Sequence, residues 1–214
     1  MLVNELISVN ELISSVTQVL VFALVSFVIH LIGTRSARGF VRSIGLYRPE
    51  GRTVWYALLA SIVLFLVMWG AFFAAGAVEV LHDEATVTGM LRAAGFSPDT
   101  VLSLLAIAWV KTSLSEEILF RGFLGRQLIR RFGFPAGNLM QAAVFGLVHG
   151  IILTLASANQ VSGGFIALLV FLSGAAGYII GWIKEKLGNG SLIPGWIAHG
   201  LGNTMGYSVI AFVL

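Results

Sequence analysis

Six long apolar runs, separated by short polar stretches, organise this chain. They cover roughly residues 15–33, 54–78, 99–122, 136–156, 163–183 and 192–214, each close to the ~20 residues needed to cross a hydrocarbon core of about 30 Å. Within each run the apolar residues are nearly continuous. They neither alternate with polar residues, as in a half-buried strand, nor keep to one face, as in a soluble amphipathic helix. The pattern predicts an all-α fold, a polytopic transmembrane bundle of about six helices in one membrane domain. Residues 1–98 would hold N-terminal membrane helices and an amphipathic loop, and 99–214 the core that carries the candidate chemistry.

Composition removes the soluble alternative. Of 214 residues 57% are hydrophobic and 11% charged, with a mean hydropathy of +0.93, against about 25% charged residues in a soluble domain. Cysteine is absent, which excludes disulfides, thiolate metal sites and a cysteine nucleophile. Glu5 and Glu11 precede the first basic residue, Arg35, unlike the basic start of a secretory signal, so the first run is expected to remain a membrane helix. The adjacent copies Val3–Ser8 and Val9–Ser14 read as a local accident without function.

The placement of charge predicts orientation. Arg35, Arg38, Arg42, Arg48 and Arg52 follow the first run, Arg126, Arg130 and Arg131 the third, and Lys184 and Lys186 the fifth. The intervening loops carry Glu79, Asp83, Glu84 and Asp99 against a lone Arg92, and 157–162 has no charge. Basic loops at every second turn predict an even helix count with both termini outside. Gly174, Gly177 and Gly181, and Gly202 and Gly206, share helix faces at spacings that predict close packing between membrane helices.

Polar residues inside these runs are the informative exceptions, because a charge near the bilayer centre costs at least ~2.5 kcal/mol and is expected to face a partner or a water-filled cavity. The third run contains Lys111, Glu116, Glu117 and Arg121. Glu117 and Arg121 stand four apart in the favourable order for an intrahelical ion pair. Glu116, about 100° away around the helix, needs a partner from another helix. Lys111 reads as a charge inside the bundle or a cavity. Phe145 and His149 share a face of the fourth run, as His199 and Asn203 share one of the sixth.

Glu116 would lie ~15 Å from the inner surface, at 1.5 Å per residue. His199 lies at a comparable depth and His149 somewhat deeper, so the three are expected to meet in a cavity opening inward. A carboxylate in an apolar site is a stronger base than one in water. A histidine can share a water with it or ligate a metal, and a second histidine with an amide can hold a developing oxyanion. His30 and His82 read as packing hydrogen bonders.

Glu-Glu-x-x-x-Arg (Glu116, Glu117, Arg121), Phe-x-x-x-His (Phe145, His149) and His-x-x-x-Asn (His199, Asn203) occur in order, each on its own apolar run. Over roughly 110–205 the chain resembles the type II CAAX prenyl endopeptidases and bacteriocin-processing enzymes, the CPBP or abortive-infection family of intramembrane proteases. The resemblance implies a conical cavity open to the cytosol and hydrolysis of peptide bonds in membrane-associated substrates. Glu116 and His149 would activate water, His199 and Asn203 would stabilise the oxyanion, and Glu117, Arg121 and Phe145 would support them. Zinc held by Glu116, His149 and His199 and a metal-free mechanism fit the same residues; a zincin is excluded by the lack of His-Glu-x-x-His.

Expected partners are membrane lipid and a peptide or membrane-bound protein, with no nucleic acid. The expected location is a prokaryotic plasma membrane with the site facing the cytosol. A non-catalytic immunity or scaffold protein of the same fold is the alternative. A transporter is disfavoured by the lack of the internal repeats common in that class.

Overall fold

The structure is a computed structural model describing residues 2–76, 78–156 and 161–214, with side chains described from Ser8 onward. All regular structure among these residues is helical: α1 (Leu2–Thr34), α2 (Phe40–Ser43), α3 (Thr53–Ala74), α4 (Val78–Leu81), α5 (Val87–Ala94), α6 (Pro98–Leu105), α7 (Arg126–Ala156), α8 (Gly163–Trp182) and α9 (Ile193–Phe212). Three π-helical stretches, Ala106–Leu114, Glu117–Gly125 and Ile183–Leu187, extend α6 and α8. Four helical stretches are long and apolar enough to cross a membrane: Ser8–Thr34, Thr53–Ala74, Pro98–Ala156 and Gly163–Leu187. The protein is therefore an all-α helical membrane bundle.

The third of those stretches, 59 residues long, reverses at Gly133, whose φ of 77° and ψ of 167° belong to a region open only to glycine. Arg126, Arg130 and Arg131 thus lie on helix just before the reversal, where the sequence had suggested a loop. Local signals place the other ends. The Thr86 and Ser97 hydroxyls accept from the Gly89 and Thr100 amides at 3.0 and 3.1 Å, and Ser162 caps α8 by accepting from Phe165 at 3.2 Å; each satisfies an otherwise free N-terminal amide. The uncharged linker 157–162 falls largely outside the described residues, as do the side chains of the first Val3–Ser8 copy up to residue 7.

The bundle turns its apolar surface outward. Ile13, Leu20 and Leu24 of α1 and Trp55, Leu59 and Leu66 of α3 are exposed, whereas Glu117, Arg121, Asn138 and Gln141 are buried, as expected where the solvent is lipid. α7 packs on α8, α9 on α3 and on the first π stretch, and α1 on that same stretch. Gly146 meets Gly174 backbone to backbone. Asn138 donates to the Tyr178 carbonyl at 2.9 Å, and Gln141 donates to the Gly177 carbonyl at 3.0 Å, the interhelical bonding by which small and polar residues hold membrane helices together.

The expected packing role fits Gly174, Gly177 and Gly181, where a Cβ would meet Ala142, Arg121 and Asn138 in turn. It does not fit the other pair. A Cβ on Gly206 would have nothing within 4 Å and one on Gly202 only the Ser61 carbonyl at 4.0 Å; both glycines border a cavity.

Lys111 finds a partner that the sequence left unassigned. Its Nζ lies 2.8 Å from Glu11 Oε2, so the second Val9–Ser14 copy supplies the counter-charge. Two helical turns on, Gln18 donates to the Lys111 carbonyl at 2.8 Å, fastening α1 to the first π stretch. Glu11→Gln is expected to lower stability by about 1–2 kcal/mol by leaving Lys111 unpaired. Lys111→Met in the same chain should restore it, as read by reversible unfolding in mixed micelles; equal losses in the single and double variants would refute the pairing.

Candidate active site

Glu116 sits between the two π stretches of the third helical run, and its neighbour Glu117 opens the second. The wider π turn frees backbone acceptors, and local hydroxyls take them up. Thr112 donates to the Ile107 carbonyl at 2.9 Å and Ser113 to Ala108 at 2.5 Å. Such stretches recur at functional sites, and here they aim the two adjacent glutamates at different partners.

Glu117 is the buried anchor. Its Oε1 lies 3.2 Å from Arg121 Nη1, with the two side chains 0% and 1% exposed, and 3.2 Å from His199 Nδ1. The Arg121 guanidinium is also stacked 3.9 Å above the Phe145 ring, a cation–π contact. Phe145 in turn lies 4.4 Å from the His149 ring and 6.1 Å from His199. The pair read from the spacing of Glu117 and Arg121 is thus present, and it reaches both histidines through Phe145 and the Glu117 carboxylate. Gly195 and Gly177 give this cluster its room, since a Cβ on Gly195 would lie 2.8 Å from Glu117 Oε2.

Glu116 faces the other way. Its Oε2 lies 3.8 Å from His199 Nε2 and 4.0 Å from His149 Nε2 and has no hydrogen-bond partner despite being buried. These gaps exceed a direct hydrogen bond. Both rings are oriented from behind. His149 Nδ1 lies 2.9 Å from the Phe145 carbonyl, which only accepts, and His199 Nδ1 faces the Glu117 carboxylate. Each Nδ1 therefore carries a proton, and in the neutral ring each Nε2 presents a lone pair toward Glu116.

Asn203 donates to Thr112 Oγ1 at 2.9 Å. It borders the same cavity of about 390 Å³ as Glu116, His149, His199 and Phe145. Phe65, Met68, Trp69 and Phe72 of α3 form an apolar wall of that cavity. Thr112 and Tyr207 also line it and were missed in the sequence. Tyr207 continues the face of His199 and Asn203 at the next i+4 position, and Thr112 lies one turn before Glu116; extending those spacings would have found both. His30 and His82 stand apart, His30 against Ser43 Oγ at 3.2 Å and His82 against Arg92 at 3.4 Å.

The donor types suit zinc, and the carbonyl and carboxylate behind the rings resemble the outer partners of metal-bound histidines. The spacing does not suit it, because ligands of one tetrahedral zinc stand ~3.3 Å apart. Among the described residues no three His, Asp or Glu side chains are arranged to hold an ion.

The fold and site describe a helical membrane bundle that gathers a carboxylate, two imidazoles and an amide around one cavity. The family model for type II CAAX prenyl endopeptidases, Rce1-like, matches residues 98–205, half of the chain. The chain belongs to that family, and so to the CAAX-type membrane endopeptidases. No curated protein and no solved structure gives a significant match.

Arg121→Met leaves the Glu117 charge buried without its partner and is expected to destabilise the fold by about 3–5 kcal/mol. Glu117→Gln/Arg121→Met should be less destabilised than Arg121→Met alone. Unfolding midpoints of the three variants check this, and additive losses would contradict the pairing.

Proposed function

We propose that the protein is an intramembrane endopeptidase that cleaves membrane-associated proteins or peptides with a water activated by Glu116 and His149. The observation that carries this reading is the buried, unpartnered Glu116 Oε2 facing two imidazole Nε2 atoms. A scaffold or immunity protein has no use for such an oxygen, and its desolvation would be a pure loss.

Water bound on the cavity side of Glu116 and His149 attacks the scissile carbonyl carbon as its proton passes to the Glu116 carboxylate. The carbonyl oxygen becomes the oxyanion, and Asn203 Nδ2 donates to it. His199 can donate from Nε2 only in its doubly protonated form, for which the Glu117 carboxylate behind Nδ1 is the counter-ion. The tetrahedral intermediate then collapses, the C–N bond breaks, and the proton held by Glu116 passes to the leaving amine. Thr112, Phe145, Glu117 and Arg121 hold these groups in place without touching substrate. Glu116, His149 and His199 are also the residues that would hold zinc, which would supply Lewis acidity, but the donor spacing favours the metal-free route. The basic loops favour both termini outside a plasma membrane, while the lining of the Glu116 cavity runs to Leu81 and Ala85–Thr88 at the less basic end of the bundle.

Glu116→Gln keeps the shape and removes the base. It is expected to reduce cleavage by about 100-fold or more at unchanged thermal stability. Comparative membrane proteomics of cells carrying the two forms reads this as uncut substrates that accumulate, and wild-type cleavage by Glu116→Gln would reject the mechanism. Activity is further expected to survive removal of metal by a chelator, checked by elemental analysis of the same sample; loss on chelation with recovery on adding zinc would assign the chemistry to the metal.

A further inference from the structure

The ends of the bundle differ in charge, and the fold concentrates one sign at a single point. The segment between α1 and α3, the start of α7 and the π turn after α8 are remote in sequence but meet at one end. Tyr47 donates to the Asn189 carbonyl at 2.6 Å, Thr53 to Leu187 at 2.8 Å, and the Leu192 amide to Gly45 at 2.8 Å. At this end lies an open cavity of about 300 Å³ lined by Arg42, Ser43, Tyr47, Arg126, Lys184 and Glu185, with glycines at its edge. It is separate from the Glu116 cavity, with which it shares no lining residue.

Three cations and one carboxylate face this space, and each cation is held there. Arg126 donates through Nη1 to the Ser43 carbonyl. The Arg42 guanidinium lies over the Tyr47 ring, 5.3 Å from its centroid. Lys184 is only 4% exposed, and its ammonium pairs with Glu185. Glu185 offsets one charge and leaves two in excess around an opening. Like charges so gathered repel one another unless an anion joins them. Arginine forks match phosphate oxygens, and basic pockets between helix ends at the membrane surface take anionic headgroups. The volume admits a phosphate with a small substituent and is too small for a folded peptide segment.

We propose that this pocket binds a phosphate ester, supplied by the headgroup of an anionic phospholipid, and so ties the first loop to the ends of the helices that carry the active site. The test is a thermal-shift titration of the purified full chain in neutral detergent, with dihexanoyl-phosphatidylglycerol, dihexanoyl-phosphatidylcholine and inorganic phosphate as probes. Phosphatidylglycerol is expected to raise the unfolding midpoint by several degrees. Arg42→Gln/Arg126→Gln should weaken its apparent affinity about tenfold or more, while Arg130→Gln/Arg131→Gln, which removes equal charge outside the pocket, should leave it unchanged.

Stabilisation by inorganic phosphate that is equally sensitive to the pocket variant would support the site and identify free phosphate as its source. Should the double variant fail to fold, Arg42→Gln alone, on an exposed side chain, carries the same comparison by native mass spectrometry of retained phosphatidylglycerol. Equal responses in wild type and pocket variants, or equal responses to phosphatidylcholine and phosphatidylglycerol, would overturn the proposal.

Discussion

Every charge placed inside this bundle has to be satisfied by the protein, because hydrocarbon offers nothing in exchange for lost hydration. The Glu117–Arg121 pair and its extension to His199 meet that constraint by charge pairing. The carboxylate neutralises one cation on its own helix and orients a ring from the last helix, while the guanidinium stacks on the phenyl ring of Phe145 from α7. Three helices are thereby tied together at the depth of the site. Glu116, one residue earlier, keeps a buried Oε2 free of hydrogen bonds and facing the two imidazoles. Adjacent glutamates have divided labour: one stabilises the arrangement within which the other is left unpaired.

Much of this was legible from spacing. The apolar runs fall largely in helices, and four helical stretches among the described residues, the third a hairpin holding two of the runs, are long and apolar enough to cross a membrane. The Glu117–Arg121 pair followed from an i,i+4 rule that survives even in a π-helical stretch. Glu116, His149, His199 and Asn203 do border one cavity. The π-helical geometry around Glu116 was not legible, because the i+5 pattern depends on hydroxyls returning to backbone carbonyls, and Thr112, Ser113 and Ser115 read in sequence as ordinary polar residues.

Two other misreadings have a common cause. Glu11 was set aside as part of a chance duplication, although its carboxylate meets Lys111 one hundred residues later. Gly202 and Gly206 were given a packing role, although small residues leave the same trace in sequence whether a helix or an empty space lies opposite. In both cases the residue type was informative and its partner, set by tertiary structure, was not. The concentration of basic segments at one end was readable as an orientation signal, but the pocket they form requires the loops to fold over one another.

The reversal at Gly133 has a geometric consequence. Glu116 lies 17 residues before it and His149 lies 16 residues after it. Two helical arms leaving one hairpin and counting nearly the same number of residues bring the two groups level, His149 Nε2 lying 4.0 Å from Glu116 Oε2. The chain therefore levels its acid and its imidazole by arithmetic along the backbone. A single residue inserted into either arm would displace one group by a step and rotate it by ~100°, uncoupling the two without altering either side chain.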